Sequence, residues 1–201
     1  MDSVKLINRL FDVIEQDIIP DTRVTIARGS CVFGGAILNK SDLSTVVATG
    51  NGQAENPIWH GEINVLNTLW KTEDRSKIPE AKNCIFLSTH QPCSMCLSAI
   101  TWAGYDNFYY LFTYEETRDI FKKSGDIDIL KEVFGNGEND RPYYNPKNAF
   151  WTSYSIREMI NSLDKCHPDR QVLLNRMNDI FKVYVELSNI YYANMNKPVT
   201  N

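Results

Sequence analysis

The sequence lacks any apolar run that reaches the roughly 20 residues needed to span a bilayer, and it lacks an excess of positive charge. Lys and Arg number 21 against 25 Asp and Glu, for a formal net charge of −4. An acidic chain gains little from counterion release on a phosphate backbone, so nucleic acid is not an expected partner. An export signal is missing as well: Met1-Asp2-Ser3-Val4-Lys5 opens polar and no small-residue cleavage site follows, which predicts a cytoplasmic protein. Cysteines are few and odd in number, five in all, and two sit in a C-x-x-C. That excludes a disulfide framework and favours thiolate–metal chemistry in a reducing compartment. There is no internal repeat and no low-complexity tract. What is present is ordinary: 43% hydrophobic and 23% charged residues over 201 positions, enough for one globular domain or a domain with an extension.

Two short motifs stand out. His60-Gly61-Glu62 places a carboxylate two residues after an imidazole, and Pro92-Cys93-Ser94-Met95-Cys96 places two thiols three residues apart. A catalytic zinc site fills three tetrahedral positions with protein nitrogen or sulfur and leaves the fourth to water, whose pKa falls to roughly 7. His60, Cys93 and Cys96 are therefore the candidate Zn2+ ligands. Glu62 is the candidate general acid and base, close to the ion without binding it. Two residues turn about 200° on a helix, so His60 and Glu62 can converge only at a helix tip. Cys93 and Cys96, at i and i+3, share a face in the first turn of the following helix. There the helix N-terminus favours the thiolate that zinc needs. A closed structural site would need a fourth ligand, for which His90, Cys166 and His167 are the remaining candidates, none with a paired spacing.

The pattern H-x-E…P-C-x-x-C is the signature of zinc nucleobase deaminases. The chain resembles that cytidine/deoxycytidylate deaminase-like superfamily from Asn56-Pro57-Ile58-Trp59-His60-Gly61-Glu62-Ile63 through Ser88-Thr89-His90-Gln91-Pro92-Cys93-Ser94-Met95-Cys96. H-G-E-I and P-C-x-M-C look most like cytosine deaminases and their guanine and tRNA-adenosine relatives. The resemblance covers roughly residues 25–125. It implies an α/β fold, the three-layer α/β/α cytidine-deaminase-like architecture with a central mixed sheet of about five strands. It also implies substrate contacts at Asn51, Gly61 and Gln91, a Gln where relatives often carry Glu or Ser, and a homodimer. Glycines such as Gly34 and Gly35 are expected near the pocket.

In chain order, residues 3–19 read as an amphipathic helix that Pro20 ends. Residues 29–38 and 43–49 read as a hairpin, with Gly34-Gly35 marking a bulge or close backbone approach. A helix begins near His60. Residues 84–88 are an apolar, central strand, Pro92–Ala103 a helix stopped by Gly104, and 107–111 a fourth strand. His90 reads as a strand-end histidine. Helical character is expected in 113–123 and 127–134, and a fifth strand has no clear place. Gly135–Pro146 reads as a loop ending in aromatics that pack against the C-terminal helices. Residues 152–165 and 169–194 read as two helices, so 1–150 is the expected deaminase domain and 151–201 a helical extension, packed on it or forming an oligomer interface.

The expected function is hydrolytic deamination of a small amino-bearing nucleobase, cytosine or guanine-like. Nucleoside, nucleotide or tRNA adenosine deamination stands as the alternative, and a deaminase-fold binding subunit without activity as a third. No membrane partner is expected.

Overall fold

The computed structural model describes residues 2–137 and 142–195. Part of the expected 135–146 loop and the last six residues of the expected C-terminal extension lie outside them. The elements run α1 (Ser3–Val13), a π-turn (Ile14–Ile18), α2 (Ile19–Ala27), β1 (Gly34–Asn39), β2 (Thr45–Gly50), α3 (Gly61–Trp70) and β3 (Cys84–His90). They continue with α4 (Ser94–Trp102), β4 (Asn107–Phe112), α5 (Tyr114–Asp119), α6 (Gly125–Glu132), β5 (Thr152–Ser155), α7 (Ile156–Asn161) and α8 (Pro168–Met195).

The five strands form one mixed sheet in the order β2-β1-β3-β4-β5. β1 is antiparallel to both β2 and β3. β3, β4 and β5 run parallel, and helices supply the crossovers that parallel neighbours require. Period-two alternation then sorts the core into two layers. Ala36, Leu38, Ile85, Leu87 and Leu111 face α1, α2, α7 and α8. Ile37, Phe86, Phe108 and Tyr110 face Val65 and Leu69 of α3 and Leu97 and Ile100 of α4. The result is a three-layer α/β/α fold.

Two expectations are corrected. Pro20 does not end the first helix, which resumes and runs to Ala27. The π-turn widens the helix so that the Ile19 amide reaches the Ile14 carbonyl. Pro20 thereby falls in the first turn of α2, where a missing N–H costs little. The fifth strand lies at Thr152–Ser155, inside the segment read as helix, and pairs in parallel with Asn107–Tyr110. It is a four-residue edge strand, partly exposed and polar, so it carries no hydrophobic period; helical periodicity starts only at Ile156. Ser155 turns strand into helix, its hydroxyl accepting the Glu158 amide at 3.3 Å.

α8 is integral to the first core layer. Leu173, Met177, Ile180, Tyr184, Leu187 and Tyr191 are buried at helical spacing. Arg176 ties α8 to α1 through Asp12 and Asn8 and to the π-turn through Glu15 (2.7 and 3.1 Å). Truncating Leu187, which is fully buried, is expected to cost about 2–5 kcal/mol in urea unfolding of Leu187→Ala. A loss below about 0.5 kcal/mol would show that α8 lies outside the cooperative core.

Candidate metal centre

The tip of α3 meets β1 backbone to backbone. A Cβ on Gly61 would sit 2.6–2.9 Å from the Cα, C and N of Gly34, so only glycine lets the helix start here. Asn64, one turn in, donates to the Gly50 carbonyl at 2.9 Å and fixes the helix against β2. His60 is the N-cap of α3 and Glu62 its second residue. Cys93 is the N-cap of α4, with Cys96 in its first turn. Tyr114 braces that second tip by donating its hydroxyl to the Pro92 carbonyl at 2.5 Å.

The two tips converge. Cys93 Sγ lies 3.6 Å from His60 Nδ1 and 3.6 Å from Cys96 Sγ. All three donor atoms lie within 4.8 Å of one another. Tetrahedral zinc with Zn–S near 2.3 Å and Zn–N near 2.0–2.1 Å requires donor separations of about 3.5–3.8 Å. The donor set and its spacing therefore fit a zinc ion. The contact with Cys93 pushes the His60 imidazole up to about 9. The neighbouring Cys96 thiol, with His60 assisting, holds Cys93 down to about 5. Cys96 is pushed up in turn, chiefly by the Cys93 contact, so one proton is concentrated on one sulfur of the pair.

Glu62 is fully buried. Its Oε1 accepts from the Ser88 hydroxyl at 2.8 Å, while Oε2 is buried with no hydrogen-bond partner. Burial pushes its carboxyl up, with His60 and Ser88 pulling the other way. Ser88 Oγ also lies 2.7 Å from the His90 carbonyl. A hydroxyl has one proton, so Ser88 can donate to a Glu62 carboxylate or turn to that carbonyl when Glu62 is protonated.

A cavity of about 250 Å3 opens beside His60, lined also by Asn51, Phe33, His90, Lys123 and Asp126 among others. Asn51, buried at the end of β2, is on its wall, with Oδ1 accepting the Gln53 amide at 2.8 Å. Gln91 is not among the lining residues. Its side chain accepts the Tyr114 amide at 2.8 Å and donates to the Tyr144 hydroxyl at 3.0 Å. Gly61 is packed beneath, on Gly34. The aromatic segment after residue 142 is engaged elsewhere: Tyr144 edges onto Trp151, whose Nε1 donates to Thr101 Oγ1 at 2.7 Å.

Ser88, Phe33, Lys123 and Asp126 escaped sequence reasoning as site residues, and His90, read as a strand-end histidine, also lines the cavity. His90, the last residue of β3, stacks on Phe33 with ring centroids 4.1 Å apart and 14° between planes. Its Nδ1 is 3.7 Å from Glu62 Oε1 and its Nε2 3.8 Å from Asp126 Oδ2. The only available signal was its position two residues before the Pro-Cys pair.

Burial lowers His90 to about 4, against an opposing pull from Asp126. Burial also raises Asp126 to about 6. The signs oppose. As pH falls from 6.5 to 4 the unfolded chain protonates His90 before the folded one does, so His90 withdraws stability over that window. Asp126, protonated earlier in the folded state, adds stability as pH falls through 6. Replacing His90→Gln removes the first effect and with it the pull that lowers Asp126, so the second effect is kept or enlarged. Urea unfolding at pH 7.5 and pH 5 should show the wild type losing more stability on acidification than the variant; equal losses would contradict the assignment.

Comparison with known proteins followed from this geometry. A probable cytosine deaminase from Schizosaccharomyces pombe (strain 972 / ATCC 24843) is 24% identical over 103 residues, which is 51% of this chain and 60% of that protein. The matched stretch thus spans less than two thirds of that relative. A guanine deaminase structure from Bacillus subtilis aligns with 65% of this chain and 82% of its own, at 21% identity and a TM-score of 0.48. One from Nitrosomonas europaea aligns with 87% and 84%, at 17% identity and a TM-score of 0.45. Residues 22–112, from α2 to the end of β4, match the zinc-binding region of the cytidine and deoxycytidylate deaminases, a stretch that holds both helix tips and the whole triad.

Proposed function

We propose that the chain is a zinc-dependent hydrolytic deaminase of a small amino-bearing nucleobase, cytosine or guanine-like, releasing ammonia. One observation carries this reading. A His-Cys-Cys set spaced for tetrahedral zinc lies at the same helix tips as a fully buried carboxylate, one oxygen of which has no hydrogen-bond partner. A structural zinc site has no use for such a group.

In this reading His60, Cys93 and Cys96 hold the ion, which when bound supplies a Lewis-acid centre that acidifies water toward a pKa of about 7. Glu62 takes the proton from water through its unpartnered oxygen while Ser88 holds the other. The same carboxyl then delivers the proton to a ring nitrogen and later assists the departing amine. Burial favours the protonated form of Glu62 and so supports its delivering role. Asn51 offers a ring edge both a donor and an acceptor. Gln91 and Gly61 act from behind: Gln91 steadies the α4 and α5 tips, and Gly61 admits α3 to the sheet.

The size of the cavity supports a free base. At about 250 Å3 it sits below the roughly 300–1,000 Å3 of pockets that enclose drug-sized ligands. The net charge of −4 weighs against a polyanionic RNA. No helix among the described residues is long and apolar enough to cross a membrane, and a cytoplasmic location is part of the proposal. So is a homodimer: Trp70 and Trp102, exposed near the C-terminal ends of α3 and α4, are aromatics that a second copy would cover. The deaminase domain is taken as 1–150, with the described residues 151–195 completing its sheet through β5 and its first core layer through α7 and α8.

An ammonia-release screen over free bases, nucleosides and nucleotides, run beside metal analysis, tests the reading. Glu62→Gln should keep one zinc per chain while turnover falls by about 10²–10⁴. Normal turnover in that variant would refute the assignment of Glu62, and no ammonia from any amino-bearing heterocycle would refute the activity.

A further inference from the structure

The wall of the cavity outside residues 22–112 comes from the start of α6, which supplies Gly125, Asp126 and Ile129, and from the turn between α5 and α6, which supplies Lys123. This turn is held open against strain. Lys122 has φ +56, a left-handed conformation that costs a non-glycine residue of order 1–2 kcal/mol. Three contacts hold it. The Lys123 amide donates to the Thr117 carbonyl at 3.0 Å. Phe121 is buried against Phe33, Phe112 and Phe181. Tyr192, near the C-terminal end of α8, donates its hydroxyl to the Phe121 carbonyl at 2.8 Å and lies 3.2 Å from that of Lys122.

The lysine itself is also set by α8. Its Nζ donates to the Tyr191 hydroxyl at 3.2 Å. It sits 4.4 Å from the Tyr191 ring centroid and 5.6 Å from that of Tyr192. Such cation–π contacts hold an ammonium without neutralising it. Cys31 lies on the same cavity wall. An ammonium has three donors, and the Tyr191 hydroxyl takes one of them, which leaves donors for a ligand. A charged group half-buried at a pocket wall, oriented by two aromatic rings and with no carboxylate within ion-pairing distance among the described residues, is placed for recognition rather than for stability.

We propose that Lys123 is a specificity-determining residue that donates to an oxygen of the substrate remote from the reacting carbon, and that Tyr191 and Tyr192 of α8 position it. This rests on the deaminase reading of the same cavity. The oxygen has two chemical sources, a carbonyl on the heterocycle or a phosphate on an attached sugar, and Lys123 would serve either. The long C-terminal helix, outside the zinc-binding segment, thereby acquires a role in choosing the substrate.

The test uses the zinc-loaded full chain, with cytosine, guanine, their nucleosides and their 5′-monophosphates as probes. Ammonia release gives KM and kcat, and calorimetry gives Kd. Lys123→Met should raise KM and Kd at least tenfold, with kcat falling by less than KM rises, and Lys123→Arg should recover part of the loss. Tyr192→Phe should raise KM about threefold or more with zinc content unchanged. A loss shared by bases, nucleosides and nucleotides identifies a ring oxygen; a loss confined to the monophosphates identifies the phosphate. KM and Kd within twofold of wild type in Lys123→Met would overturn the proposal while leaving the deaminase reading intact. Probe binding without turnover in the wild type would defeat the deaminase reading, and the Kd ratio would still decide the role of Lys123. A wild type that neither binds nor turns over any probe would overturn both.

Discussion

The contact on which the rest depends is the one between two glycines. Gly61 at the tip of α3 rests on the backbone of Gly34 in β1, at a separation that leaves no room for a Cβ. This contact seats a helix end on the sheet rather than above it. His60 and Glu62, which cannot share a face along a helix, then both look out from its first turn. Because β3 lies beside β1 and leads directly into α4, the Cys93–Cys96 tip arrives at the same point. The chemistry follows from backbone proximity: an imidazole, two thiols and a carboxylate are brought within a few ångströms by two helices that start where one sheet ends.

The electrostatics follow from burial at that junction. Zinc needs thiolates, and the packing of Cys93 against Cys96 and His60 is what favours one. Glu62 experiences the opposite effect. Removed from water, it holds its proton more readily than an exposed carboxyl. Ser88 and His90 continue the polar line from Glu62 to Asp126 across the cavity floor. In the proposed role of accepting and returning a proton, Glu62 would be served by Ser88, which can reverse its own hydrogen bond.

How much was legible in the sequence depended on distance along the chain. His60, Glu62, Cys93 and Cys96 lie in two local motifs whose spacing already carries the geometric requirement, and the α/β alternation was readable from periodicity. The residues that complete the cavity come from separate elements. His90 ends a strand, Lys123 sits in a turn, Asp126 opens α6, and the tyrosines that contact Lys123 are nearly seventy residues further on; nothing local marks the lysine and the tyrosines as neighbours. β5 was hidden because Thr152-Ser153-Tyr154-Ser155 is polar and short, and is made a strand by its partner β4 rather than by its own pattern. Pro20 misled because its usual meaning as a helix stop assumes a regular helix, and the π-turn before it changes the register.

The central claim is that two helix tips present one nitrogen and two sulfurs to a single ion and leave one position for water. X-ray absorption at the zinc edge of the purified protein tests it most directly. The account predicts one zinc per chain with two sulfur scatterers near 2.3 Å and two nitrogen or oxygen scatterers near 2.0–2.1 Å, and loss of the sulfur shell in Cys96→Ala to one scatterer. Three or four sulfurs, or a metal-free protein that takes up no zinc, would contradict it.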